Sequence, residues 1–311
     1  MAIGDSKSDA KSFDAYLFVH FISDAENPAD NEQVYFSVSK DGLKWDTLNG
    51  QKPVLRSKLG DMGVRDPFII RSPKENKFYI IATDLYMYRR KDWAEVQRSG
   101  SQSIMVWEST DLVNWSEQRM VWVGPKTAGC VWAPEAIYDK EADDFLVFWA
   151  SRENFGAEKQ RIYYSKTKDF KTFTEPKVYI ERENHVIDTT IIEHNGKYYR
   201  FSKDETVKSI TAEVSDSLLG EFRMLDTNLK DIFGVEGPAC FKMKGENKWC
   251  LLLDFYRTEK KYIPYFTTDL DSGYFERDTG NFYIPVKAKH GGVTPITMEE
   301  YERLIKAYGS K

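Results

Sequence analysis

One short pattern recurs five times along this chain, and few architectures can use it. A strand rich in aromatic residues follows a polar turn in DAYLFVHFIS (14–23), NKFYIIATD (76–84), DDFLVFWAS (143–151), GKYYRFSKD (196–204) and NKWCLLLDF (247–255). Downstream of each, a Ser or Thr, an Asp and a later aromatic bracket a second turn: SKDGLKW, STDLVNW, SKTKDFKTF, SDSLLGEF and TTDLDSGYF. The equivalent aspartates, Asp41, Asp111, Asp169, Asp216 and Asp269, are 70, 58, 47 and 53 residues apart. That is close to the ~40–50 residues of a four-stranded propeller blade with loop insertions. A charged segment at residues 86–101 accounts for the widest gap.

A third mark precedes four of the strands: VRDPFII, WAPEAIY, VIDTTII and VEGPACF, each a short apolar run containing or beginning at an acidic residue. No such run lies ahead of residue 14, but HGGVTPI at 290–296 matches it. If that C-terminal segment supplies the innermost strand of the blade built from residues 14–56, both termini are locked into one sheet and no edge is left free. The fold class expected is all-β: a five-bladed β-propeller closed by its C-terminal segment, with residues 14–311 as a single domain and residues 1–13 as a disordered extension. TMEEYERLIKAYG, with Thr297 as N-cap and Glu300 three residues on, reads as a short terminal helix. A β-sandwich also has many short strands but not a long repeat marked in three places.

Composition narrows the partners. With 44 Lys and Arg against 49 Asp and Glu, the net charge is −5 and no basic tract tracks a phosphate backbone, so nucleic acid is not expected. Apolar runs such as Ala15 to Ile22 fall short of the ~20 residues that cross a bilayer. Localisation is left open, with the periplasm or the exterior expected if a signal peptide was removed. Cys130, Cys240 and Cys250 have neither disulfide nor metal spacing and read as buried thiols. Aromatic residues, at 14%, favour sheets and also suit the C–H faces of sugars.

In a propeller the first strand of each blade lines the central channel, and its start sits at one mouth. Asp66, Glu135, Asp188, Glu236 and His290 are therefore expected at equivalent positions facing one another. Gathered like charges raise at least one carboxyl pKa, a cost that folding alone does not explain. Acetal cleavage needs a proton for the leaving oxygen and a nucleophile or base on the opposite face, and a third carboxylate can keep the acid protonated. The set contains enough groups for all three.

These motifs resemble those of glycoside hydrolase family 43, the inverting arabinofuranosidases and xylosidases with a five-bladed propeller, from about residue 14 to residue 305. By that resemblance VRDPFII implies Asp66 as general base, VIDTTIIEHNGKYY implies Asp188 as the carboxylate that tunes and orients the acid, and VEGPACF implies Glu236 as general acid. CVWAPEAIY resembles a Trp-Ala-Pro-Asp segment, with Glu135 where Asp is usual. KHGGVTPI resembles a His-Gly segment whose histidine, here His290, holds water or a structural Ca2+ in the channel. In many members the base motif lies almost at the N-terminus, whereas here about 50 residues precede it.

Trp132 is a candidate for stacking on the sugar, and Arg200, a charge within an aromatic strand, for binding substrate or a carboxylate at the mouth. Arg65, next to Asp66, could do either. His20, His185 and His194 have no metal spacing. The function expected is an inverting exo-α-L-arabinofuranosidase acting on plant-type oligo- or polysaccharides, requiring no cofactor, as a monomer. The alternatives are a β-xylosidase, an endo-1,4-β-xylanase or an exo-β-galactanase of the same family, or a glycan-binding propeller without catalysis. SKDGLKW resembles the Asp-box turn of sialidases, but no arginine cluster accompanies it.

Overall fold

The structure, a computed structural model, describes residues 12–154 and 158–309. It is a ring of five four-stranded antiparallel sheets. From the axis outward, the second blade runs Val64–Arg71, Phe78–Asp84, Ser103–Ser109 and Arg119–Trp122. The third runs Trp132–Asp139, Asp144–Arg152, Gln160–Thr167 and Lys177–Ile180. The fourth runs Val186–His194, Lys197–Asp204, Ser209–Ser215 and Arg223–Met224. The fifth runs Glu236–Lys242, Trp249–Asp254, Tyr262–Thr267 and Glu276–Arg277. In the first blade Ala15–Phe21, Tyr35–Ser39 and Asp46–Thr47 are joined on the axial side by Lys289–Ile296. Ala15 pairs with Ile296 and Val19 with Gly292, so the chain's last strand closes the ring as the repeat predicts.

Side chains alternate across a strand, so a blade packed between two others must be apolar on both faces. Ala15, Leu17 and Val19 pack with Val64, Ile69 and Phe78 of the second blade, while Tyr16 and Phe18 pack with Phe241, Cys250 and Leu252 of the fifth. Three further clusters fill the other interfaces, giving one apolar core per junction. This two-sided burial is why the second strands read as almost continuous apolar runs rather than as alternating ones. Three of the five Asp-marked turns behave alike, Asp41 accepting the N–H groups of Leu43 and Lys44, both at 2.8 Å, and Asp111 and Asp169 making the corresponding pairs, while Asp269 accepts the Asp271 N–H at 3.0 Å.

The terminal helix Met298–Tyr308 forms with the expected capping box between Thr297 and Glu300, and Glu300 also pairs with Arg71 at 2.7 Å. Among the described residues no helix is long and apolar enough to cross a membrane. Of the extension expected at 1–13, residues 1–11 lie outside the described residues. The charged segment at 86–101 folds as two short helices, Met87–Arg90 and Trp93–Ser99. Cys130 and Cys250 are buried, but Cys240 is only partly so.

Candidate active site

Each inner strand carries a β-bulge near its start. Arg65 pairs with Thr83, Trp132 with Ala150, Ile187 with Lys203 and Glu236 with Asp254, after which the register shifts. The bulge residues Asp66, Ala133, Asp188 and Gly237 all have left-handed backbones, with φ of 50, 47, 48 and 54°. For the three that are not glycine this is a strained conformation, of a kind concentrated at functional sites. Pro67, Pro134 and Pro238 follow three of these bulges, where the interrupted ladder needs no N–H.

This corrects the expected fivefold equivalence. Asp66, Asp188 and His290 do share a position, since the register around His290 skips from Lys289–Phe21 to Gly291–His20. Glu236 stands one residue earlier, in register with Arg65. Glu135 stands two residues past the bulge of its strand, opposite Phe148. The added residue of a bulge moves every later side chain to the other face, and a motif match cannot resolve that step.

At the axis His290 faces three carboxylates. Its Nδ1 is 3.5 Å from Asp66 Oδ1 and 3.8 Å from Asp188 Oδ1, and its Nε2 is 3.8 Å from Glu135 Oε1. Burial works against the imidazolium, but Asp188, Asp66 and Glu135 together raise His290 well above the usual histidine range. Asp66 accepts a bond from Thr83 Oγ1 at 3.0 Å, and Thr83 accepts the Ala133 N–H at 2.8 Å, which ties the second blade to the third. Burial alone would raise the Asp66 carboxyl, yet His290, Arg65 and Thr83 hold it below the ordinary carboxylate range. Asp188 goes the other way: burial, with the charges of Glu236 and Asp66, pushes it up to about 6 against the pull of His290 and Lys203. Asp188 Oδ2 accepts the Gly237 N–H at 3.1 Å, which fixes it beside Glu236. Burial also raises Glu135, which lies beneath the histidine and does not line the cavity.

Lys203 was not anticipated. Its nearly buried ammonium is 2.9 Å from Glu236 Oε2 and 2.7 Å from Glu205 Oε2, so it clamps Glu236 in place. Aligning the second strands exposes the missed signal: Thr83, Lys203 and Asp254 occupy the position opposite the residue before the bulge. Asp254 is fully buried, is pushed by burial and the Glu236 charge to about 7, and lies 3.2 Å from Lys289 Nζ.

These groups open into a cavity of about 350 Å³ lined by Asp66, Asp188, Glu236 and His290 at its base. Trp93 and Trp132 line it as well, as do Lys208, Tyr256 and Arg257. Arg65 also reaches it, held at 2.6 Å by Glu32, so it forms an ion pair while facing the cavity. Arg200 does not reach it. Its Nε is 2.7 Å from Glu213 Oε2, its guanidinium lies 3.8 Å from the Phe222 ring centroid, and it is buried away from the mouth. The charge in that aromatic strand is compensated locally, which removes Arg200 from the substrate-binding set.

A calcium ion held by His290 does not fit these residues. Both ring nitrogens are turned to carboxylates, at 3.5 to 3.8 Å, which leaves neither a free side to offer a metal. Among the described residues no group of three or more His, Cys, Asp or Glu is arranged to hold one.

The family model described as a probable glycosyl hydrolase domain, related to family 43, matches residues 11–302. An α-L-arabinofuranosidase of Bifidobacterium longum subsp. longum is 32% identical over 209 residues, 61% of this chain and 19% of that protein, so the chain spans about a fifth of that relative. Solved structures share the fold. An exo-β-1,3-galactanase of Phanerochaete chrysosporium with galactose gives a TM-score of 0.63 at 15% identity, over 86% of this chain and 61% of that one. An α-L-arabinanase of Penicillium chrysogenum complexed with arabinobiose gives 0.56 at 14% identity, over 89% and 79%.

Proposed function

This chain belongs to the glycosyl hydrolase family related to family 43, and from that premise we propose that it is an inverting exo-α-L-arabinofuranosidase with Asp66 as general base and Glu236 as general acid. The observation that carries the reading is the contrast between two carboxylates at equivalent bulges. Asp66 is driven below its ordinary range and Asp188 up to about 6, although both face His290. The contrast supports Asp66 as the ionised base and Asp188 as the proton-holding neighbour of the acid, since Asp188 is fixed beside Glu236 through the Gly237 N–H.

In the mechanism a water beside ionised Asp66 gives its proton to that carboxylate as its oxygen bonds to the anomeric carbon. The glycosidic C–O bond breaks on the opposite face, and the leaving oxygen takes the proton of Glu236. Water is thereby added across the acetal, and the anomeric configuration inverts. Asp188, fixed by the Gly237 N–H, keeps a proton-holding carboxyl next to the acid, while Lys203 orients Glu236. His290 neutralises the carboxylates it faces, so that Asp66 can remain ionised in a buried site.

The arabinofuranosyl preference is supported by the relative that is 32% identical. Aryl arabinofuranoside, xyloside and galactoside, tested side by side with NMR detection of the first-formed anomer, check both sugar and stereochemistry. Asp66→Asn and Glu236→Gln are each expected to lower turnover by about two to four orders of magnitude. Cleavage of the xyloside or galactoside alone would replace the sugar, a retained anomer would replace the mechanism, and a wild type that binds glycans without turnover, with binding unchanged in both variants, would make this a glycan-binding propeller.

A further inference from the structure

We propose that Trp93, carried on the insertion of the second blade, is the platform on which the reacting sugar stacks, so that this insertion sets substrate choice at the site. The proposal rests on the hydrolase reading above. The insertion, residues 85–102, joins Phe78–Asp84 to Ser103–Ser109 and is the longest of the five connections between second and third strands.

It is built as a fixed wall. The helix Trp93–Ser99 is capped by Asp92, whose Oδ1 accepts the N–H groups of Ala94 at 2.8 Å and Glu95 at 3.1 Å. Val96 is fully buried beneath it. The helix end is tied to the third blade by the Gly100 N–H donating to Gly129 O at 2.8 Å and by Asn154 Nδ2 donating to Arg98 O at 2.7 Å. Gly129 must lack a side chain there, because a Cβ would collide with the Gln97 carbonyl oxygen.

On this wall Trp93 leaves 48% of its surface exposed while lining the cavity. Trp132 meets it edge to face, with centroids 5.9 Å apart and planes at 87°, and the Arg65 guanidinium lies 5.1 Å from its centroid. The ring is therefore oriented by its neighbours and still open. Leaving a large aromatic uncovered forgoes the stabilisation that burial supplies, and folding gives no reason to hold it at the mouth of a catalytic cavity. The C–H face of a furanose or pyranose ring would cover it. The remaining walls suit the rest of such a ligand, since Lys208, Glu205, Tyr256 and Arg257 offer polar groups to its hydroxyls. Arg65, whose guanidinium faces Trp93, directly precedes Asp66 in the chain, which ties the platform to the strand that carries the base.

Trp93→Leu keeps apolar bulk but removes the flat ring, and Trp93→Phe keeps a smaller ring. Both are compared with the wild type in KM and kcat on the aryl glycoside the enzyme cleaves best, and in calorimetric binding of the free monosaccharide released from it. If no glycoside is cleaved, the titration uses L-arabinose. Trp93→Leu is expected to raise KM and the monosaccharide Kd about tenfold, with kcat within about threefold, and Trp93→Phe to recover most of the loss. Unchanged KM and Kd in Trp93→Leu, or equal losses in both variants, would overturn the proposal. A wild type without turnover would sink the hydrolase reading instead, and the titration would still decide the role of Trp93.

Discussion

A Cβ added to Gly237 would stand 2.7 Å from Cγ of His290. The glycine after the acidic residue of the VEGPACF motif thus does two things at once: it adopts a φ of +54° and leaves room for the imidazole that faces Asp66 and Asp188. Tyr262 holds the same turn from behind, donating its hydroxyl to Gly237 O at 2.8 Å.

Gly237→Ala should cost stability by about 1–3 kcal/mol, through left-handed strain and the forced shift of His290. Turnover should fall by at least about tenfold, because the charge partner of Asp66 moves with the ring. Thermal melting and steady-state kinetics check both, and a variant matching the wild type in each would show that the histidine position is not needed.

The pH dependence of stability has a defined sign. Asp188 titrates near 6 when folded, against an ordinary 3.8, so the folded chain holds that proton more tightly. Its contribution is fully present below 3.8 and is lost as pH rises through about 6. Asp254 acts in the same direction up to about 7. Asp66, held below 3.8, acts oppositely and loses its contribution only on acidification. Urea unfolding should therefore show stability declining between about pH 4 and pH 7, with Asp188 contributing at most roughly 1.4 kcal/mol per unit below pH 6. Asp188→Asn should flatten the lower part of this window and leave the part near 7. A wild-type slope that survives unchanged in Asp188→Asn would remove Asp188 as its source.

Arg200→Ala separates structure from binding. Removing one partner of a buried ion pair leaves the other charge exposed to a poor solvent, and a loss of about 3 kcal/mol is expected, tempered by Arg182, which also reaches Glu213 at 2.7 Å. KM should stay within about twofold, since Arg200 lies outside the cavity. Denaturation together with kinetics tests this, and a large rise in KM at preserved stability would return Arg200 to the site.

The ring is legible from the order of residues alone. The five aromatic strands, the Asp turns and the final HGGVTPI strand are local signals, because an apolar run bounded by turn residues is written in consecutive positions. The same motifs identified Asp66, Asp188, Glu236 and His290, and the folded chain brings all four to one cavity. The folded ring settles which of these positions are equivalent, since each bulge adds one residue and turns the following side chain to the other face. It also decided the clamp of Lys203 on Glu236, the burial of Glu135 under His290, the withdrawal of Arg200 to Glu213 and the entry of Trp93 into the cavity. Those contacts join residues on different strands or blades, and their distances are set by how strands and sheets pack around the axis, which no local pattern records.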